Sequence, residues 1–165
     1  MKILTLVRHA KSSWGDSDLA DRDRPLNRRG ERDAPEMGKR IVAHGIRPSL
    51  IITSPAVRAR TTAQIVAREI GYPIEFLQRE KSLYLASLDD LLDAVFSQDE
   101  GFNSLMVVGH NPGLTEFANF LVPGITGNLP TAGVVSVQLE LEDWNLYAEP
   151  KAELLAYDYP KLKQE

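Results

Sequence analysis

From Lys2 to Val7, Ile3, Thr5 and Val7 alternate with Leu4 and Leu6 and no breaker intervenes, so the chain opens on a strand buried on both faces. Arg8-His9 falls at its C-terminal end. Residues 10–25 are polar, with Ser12-Ser13-Trp14-Gly15-Asp16 and Asp21-Arg22-Asp23-Arg24-Pro25, and read as a loop. A helix capped near Asn27 follows, because Ala34, Met37, Gly38, Ile41 and Val42 recur at three- and four-residue spacing; Pro35 inside it predicts a kink or a late start. Leu50–Thr53 is a second buried strand. Ser54-Pro55 then reads as an N-cap followed by proline at the first helical position, with a helix to about Ile70 and a stop at Gly71 and Pro73. Ile74–Leu77 is predicted as a third strand, Leu88–Phe96 as an amphipathic helix and Ser104–Val108 as a fourth strand. Asn111-Pro112 starts another helix with Leu114, Phe117, Ala118 and Leu121 on one face. Val134–Leu141 and Glu153–Tyr157 alternate as strands, with Trp144 in the turn between them.

Strands alternating with helices predict an α/β class fold: a three-layer α/β/α sandwich whose sheet is mostly parallel, allowing one reversed strand near the C-terminus. The 165 residues suit a single domain spanning 1–165. No apolar run approaches the ~18 residues of a membrane span, and the opening segment is too short for a signal-peptide core, so a soluble, cytoplasmic protein is expected. The absence of cysteine excludes disulfides, thiolate metal sites and cysteine-based phosphatase chemistry. With 19 Lys+Arg against 23 Asp+Glu, the net charge of −4 gives no basic field for nucleic acid or anionic lipid, so an anionic ligand needs a local cluster.

Such a cluster is visible. In open α/β sheets ligands bind outside the carboxyl ends of the strands. Three strand ends carry chemistry there: Arg8-His9, Ser54 to Arg58, and Gly109-His110-Asn111. If these strands are neighbours, two imidazoles, two guanidinium groups and two helix N-termini converge, which favours a phosphoryl group. Arg8 and Arg58 would fork onto its oxygens. His9, with one nitrogen pinned to a backbone carbonyl, could attack phosphorus in line, while a protonated His110 donates another hydrogen bond. Each residue alone has a bland reading: a satisfied strand-end pair, a solvated helix arginine, a capping histidine. Their shared topological position favours the functional one. His44, before Gly45 at a helix end, reads as structural, bonding the last carbonyls.

These segments resemble the histidine phosphatase (phosphoglycerate mutase-like) superfamily, and within it the SixA-type phosphohistidine phosphatases. Leu6 to Lys11 is similar to the R-H-G/A signature, Asp21 to Leu26 to D-x-x-R-P-L, Ser54 to Ala59 to S-P-x-x-R-A, Val108 to Gly113 to G-H-N-P-G, and Pro130 to Gly133 to P-T-x-G. The resemblance implies a phosphoglycerate mutase-like fold and a hydrolase with His9 as the phosphorylated nucleophile. It also implies Arg8, Arg58 and His110 as the phosphate pocket and Arg24 as a further substrate-side contact. Two departures stand out. The comparable place to a phosphate-binding asparagine of mutase-like members is near Gly15, and the nearest candidate proton donor is Glu80, which also reads as an ordinary surface glutamate. Loss of such an acid matters less for an imidazole than for an alkoxide leaving group, since imidazole has a pKa of ~6.5 and leaves readily once protonated. A short connection between Leu77 and Ser104 leaves the pocket uncapped and suits phosphohistidine on a protein, such as a histidine phosphotransfer domain in signal transduction. No cofactor or metal is expected. A small-molecule phosphomonoesterase and a non-catalytic phosphate-binding module remain open. A two-histidine metal hydrolase is disfavoured by Arg8 beside His9, and a P-loop kinase by the missing motif.

Overall fold

The computed structural model describes residues 1–163. Ten principal elements follow one another: β1 (Lys2–Arg8), α1 (Arg28–Ala43), β2 (Leu50–Thr53), α2 (Val57–Ile70), β3 (Gln78–Arg79), α3 (Leu88–Phe96), β4 (Ser104–Gly109), α4 (Gly113–Leu121), β5 (Val134–Leu139) and β6 (Ala152–Asp158). The strands form one sheet in the order β3-β2-β4-β1-β5-β6. β1, β2, β3 and β4 are parallel, and β5 runs antiparallel to both β1 and β6. β5 is thus the one reversed strand.

The period-two alternation of the strands divides the core. Leu4, Leu6, Leu50, Ile52, Leu105 and Val107 pack with Leu91 and Val95 of α3 and Leu114 and Phe117 of α4. On the other face Val7, Ile51, Met106 and Val108 meet Met37 and Ile41 of α1 and Ala59, Ala63 and Val66 of α2. Two layers of helices therefore cover one sheet, and both strand faces are apolar because both are buried.

Local chemistry explains where the elements start, and where the sequence pattern misplaces them. Asn27 caps α1, its side chain accepting from the Gly30 N–H at 2.9 Å. α1 runs unbroken through Pro35 rather than starting late. The proline costs about 3 kcal/mol in a helix interior, but Met37 and Ile41 beyond it are fully buried, at about 1.5–3 kcal/mol each, so packing wins. α2 starts at Val57, because the Ser54 hydroxyl accepts from the Ala56 N–H in a preceding turn instead of capping a helix. The strand expected at Ile74–Leu77 does not form: Ile74–Phe76 is a 3-10 turn, and β3 lies beyond it at Gln78–Arg79, bordering β2 alone. β5 ends at Leu139, two residues short of the pattern. His44 bonds the Asp158 carboxylate through Nε2 at 3.0 Å, so its imidazole ties α1 to the end of β6 rather than capping carbonyls.

α1 meets the loop after β1 at Gly30. A Cβ there would stand 2.1 Å from the Lys11 carbonyl oxygen, which itself accepts from the Asn27 N–H at 3.0 Å. Glycine to alanine in a helix interior ordinarily stabilises by about 1 kcal/mol. Here the sign reverses: Gly30→Ala is expected to destabilise by about 1–3 kcal/mol, read as a lowered Tm in thermal unfolding.

Candidate active site

The register of β1 against β4 builds the site. Arg8 pairs with Gly109, and the His9 N–H donates to the Gly109 carbonyl at 3.0 Å, so His9 and His110 leave adjacent strands side by side. Their ring centroids lie 5.3 Å apart. The Ser54 N–H donates to the Val108 carbonyl at 3.0 Å and carries the end of β2 to the same edge. A cavity of about 300 Å³ opens there, lined among others by Arg8, His9, Lys11, Ser12, Trp14, Asp21, Arg24, Arg58, His110 and Thr131. All five phosphate-side residues read from the sequence meet in this one crevice. A larger cavity of about 460 Å³ lies beyond the opposite end of β2, near Pro48 and Tyr72, and holds none of them.

His9 is fixed in one tautomer. Its Nδ1 lies 2.7 Å from the Ala10 carbonyl, which can only accept, so Nδ1 carries the proton and Nε2 keeps its lone pair. The Ala10 N–H is held by the Thr62 hydroxyl of α2 at 2.9 Å, and that hydroxyl donates to the Arg58 carbonyl at 2.7 Å. Burial, and then the charges of His110, Arg58 and Arg8, push the His9 pKa down to about 3; only the Ala10 hydrogen bond raises it. His110 falls to about 4, first through burial and then through the neighbouring arginines, Arg58 foremost. Its Nε2 lies 2.7 Å from the Ser54 hydroxyl. That hydroxyl also accepts from the Ala56 N–H, and with one proton and two lone pairs it can serve either tautomer of His110, as donor to Nε2 or as acceptor from it.

One carboxylate organises the guanidinium groups. Asp21 accepts from Arg24 Nε at 3.2 Å and Arg58 Nη2 at 3.0 Å, while its backbone carbonyl takes Arg58 Nη1 at 2.7 Å. The Tyr84 hydroxyl donates to the same carboxylate at 2.5 Å, and the Tyr84 ring stands edge-on to His110. These bonds, Tyr84's first, lower Asp21 to about 2, so it stays anionic at all ordinary pH. Arg24, only 7% exposed, also donates to the Ser12 hydroxyl and the Ser13 carbonyl and stacks on the Trp14 ring at 3.5 Å. Arg8 donates to the Leu129 carbonyl at 3.0 Å, and burial lowers its pKa. Among the described residues, Nε of Arg8, Nε of Arg58 and Nδ1 of His110 are buried without a partner.

Glu80 stands apart. It follows β3 at the same sheet edge, but it does not line the cavity, and its carboxylate accepts from the Gln78 side-chain amide. Asp21 and Tyr84 are residues that reasoning from the sequence left without a role, and Ser54 is one it read only as a helix cap. Asp21 and Ser54 lie inside the quoted motifs, yet nothing in spacing alone reveals which side chains they hold. Among the described residues, no cluster of three or more His, Cys, Asp or Glu is placed to hold a metal ion.

The histidine shifts set a pH dependence. An unfolded imidazole protonates near 6.5, whereas His9 and His110 in the folded chain protonate near 3 and 4. The unfolded state therefore binds more protons between those values, so stability is full above about pH 6.5 and falls as pH drops through that window. Histidine-ring NMR is expected to show His9 and His110 neutral at pH 6, with His9 protonated on Nδ1. Midpoints near 6.5 for either ring would contradict this.

Comparison with known proteins places the fold and the family. A protein of Arabidopsis thaliana described as uncharacterized and chloroplastic is 32% identical over 149 residues, covering 86% of this chain and 68% of its own. The candidate phosphoglycerate mutase GpmB of Salmonella arizonae is 32% identical over 111 residues, and the match spans only about half (51%) of that protein's length. Among solved structures, the candidate phosphohistidine phosphatase SixA of Agrobacterium tumefaciens superposes with a TM-score of 0.82 at 25% identity, covering 96% of this chain and 98% of that one. A protein histidine phosphatase SixA complexed with tungstate has the same fold, with a TM-score of 0.79 at 20% identity over 96% of this chain and 97% of its own. The α/β/α sandwich is therefore the phosphoglycerate mutase-like one. Residues 4–91 match the family model of histidine phosphatases, and with the curated relatives this places the chain in the histidine phosphatase superfamily, branch 1.

Proposed function

We propose that this protein is a phosphohistidine phosphatase that removes phosphate from a phosphorylated histidine of another protein by way of a covalent intermediate on His9. The observation that carries the covalent step is the neutral, buried His9 whose Nδ1 is committed to the Ala10 carbonyl, leaving Nε2 as a nucleophile inside a cationic crevice. Arg8, Arg58 and His110 would hold the phosphoryl oxygens, with Arg24 on the substrate side. The buried Nε–H donors of Arg8 and Arg58 have no acceptor in the ligand-free protein, at a cost of about 1–3 kcal/mol for each such group, which phosphoryl oxygens would relieve, and Nδ1 of a protonated His110 would add another donor. Nε2 attacks phosphorus as the P–N bond to the substrate imidazole breaks. The substrate ring, protonated beforehand by solvent on its other nitrogen, departs as a neutral imidazole, and the departing nitrogen keeps the electron pair of the broken bond. Water then cleaves phospho-His9 and inorganic phosphate leaves. The negative charge of the bound phosphoryl group would raise the His110 pKa and draw a proton to it.

The leaving group decides between substrates. The one carboxylate lining the cavity, Asp21, is engaged by Arg24, Arg58 and Tyr84 and is too weakly basic to carry a proton, and Glu80 lies outside the lining. An alkoxide would depart poorly without a positioned acid; a substrate imidazole protonated on its other nitrogen, as its pKa of ~6.5 allows near neutrality, leaves as a neutral ring and would not need one. Between β3 and β4 stand only a 3-10 turn and α3, so no insertion caps the crevice. Trp14, 75% exposed, and Leu85 rim its mouth, where a protein surface could rest. SixA structures are phosphohistidine phosphatases by name, and one of them holds tungstate. Such a substrate would set the protein in cytoplasmic phosphotransfer signalling, working without a metal or other cofactor.

A panel of substrates tests this reading. kcat/KM for a phosphohistidine phosphotransfer domain is expected to exceed that for sugar phosphates and phosphoserine by at least about 100-fold. His9→Ala should abolish turnover, and a chelator should leave the rate unchanged. Faster hydrolysis of the small phosphomonoesters would assign the chain to the phosphomonoesterase alternative, and phosphate binding without any turnover to the non-catalytic one.

A further inference from the structure

A second cavity, of about 280 Å³, adjoins the phosphoryl crevice and shares Arg8, Lys11 and Thr131 with it. Arg29 and Lys161 complete its cationic lining, and no acidic side chain lines it. In a chain of net charge −4 this is a local excess of positive charge directed at one place. Lys11 and Lys161 make no side-chain hydrogen bond or ion pair among the described residues; Arg29 donates through Nε alone, to Asp33 at 3.4 Å. Lys11 and Lys161 are thus un-neutralised beside the pocket, and Arg29, whose Nε pairs with Asp33, keeps both terminal nitrogens available.

Their carriers are fixed. The Lys11 backbone is clamped against α1 by the Asn27 N–H and by the close approach of Gly30. Arg29 stands in the first turn of that same helix. Lys161 sits on the turn after β6, and Arg40 of α1 pins that turn by donating to the Tyr159 carbonyl at 2.9 Å and the Pro160 carbonyl at 3.2 Å. One helix therefore positions all three charges along the rim.

We propose that Lys11, Arg29 and Lys161 form a second anion subsite, which takes aspartate or glutamate carboxylates flanking the phosphohistidine on an acidic protein surface. The proposal rests on the protein-substrate reading above and narrows it. Lysine ammonium groups on exposed stems act as point charges that suit mobile surface carboxylates, whereas a second phosphate is better held by forked guanidinium pairs and backbone N–H groups. Sharing Arg8, Lys11 and Thr131, the two cavities lie side by side, so a protein surface that presents its phosphohistidine to one would bring flanking side chains to the other.

Two phosphohistidine peptides test it, one flanked by aspartates and one by glycines. The wild-type protein is expected to give a KM about tenfold lower for the acidic peptide at low salt, with the advantage shrinking as salt rises. Lys161→Gln should cut that advantage about threefold and Lys161→Glu should erase it, with kcat on the glycine peptide within twofold of wild type. An acidic-to-neutral ratio that is the same in all three proteins would overturn the subsite. Binding is read apart from turnover, from amide chemical shifts at Arg29 and Lys161 on adding the unphosphorylated acidic peptide. If no peptide is hydrolysed, the proposed reaction fails while those shifts still decide the subsite: their presence supports it and their absence overturns it. Inorganic phosphate is titrated alongside, and shifts from phosphate with none from the peptide would overturn the carboxylate assignment.

Discussion

Three guanidinium groups and two imidazoles surround one crevice, and two like charges 4 Å apart at an effective dielectric of 20 repel by about 4 kcal/mol. The site exists because that repulsion is managed without waiting for a ligand. Asp21 supplies the counter-charge to Arg24 and Arg58, its pKa held near 2 so that it never lets go at working pH. The imidazoles contribute no charge at all, since burial and the arginines hold both neutral. What remains is an excess of positive charge and hydrogen-bond donors that one phosphoryl group would complete.

Burial, joined by the same repulsion, keeps His9 in the neutral form that the proposed attack requires. An imidazole in water is half protonated near pH 6.5 and would present a blocked Nε2 part of the time. Burial beside arginines removes that fraction, and the Ala10 carbonyl settles which nitrogen keeps its lone pair. Packing reaches the chemistry through a short chain: α2 places Thr62, Thr62 holds the Ala10 N–H, and the Ala10 carbonyl holds His9. The fold's contribution is thus one of preorganisation, in which side chains are set before any phosphate arrives.

The strands and long helices were legible because their apolar periodicity is strong and both sheet faces are buried; Leu88–Phe96 and Leu50–Thr53 lie where the pattern puts them. The errors share a cause. Ser54-Pro55 reads as a helix cap, but the Ser54 hydroxyl is drawn to His110, 56 positions away, and the helix begins later. Ile74–Leu77 has strand composition, yet an edge with only β2 to pair rewards a turn as much as an extended run. The convergence of His9, Arg58 and His110 could be inferred because strand ends share one edge. Asp21 could not be given its work, since pairing with Arg58 and Tyr84 across 37 and 63 positions is set by tertiary structure alone.

The central claim is that Nε2 of His9 forms a bond to phosphorus. Rapid acid-free quench during turnover of a phosphohistidine substrate, followed by mass spectrometric site mapping and 31P NMR of the trapped protein, tests it most directly. A base-stable, acid-labile phosphate on Nε2 of His9, absent from the His9→Ala protein, is the result expected. Phosphate found on His110, or full turnover with no phosphorylated protein at any time point, would contradict the account.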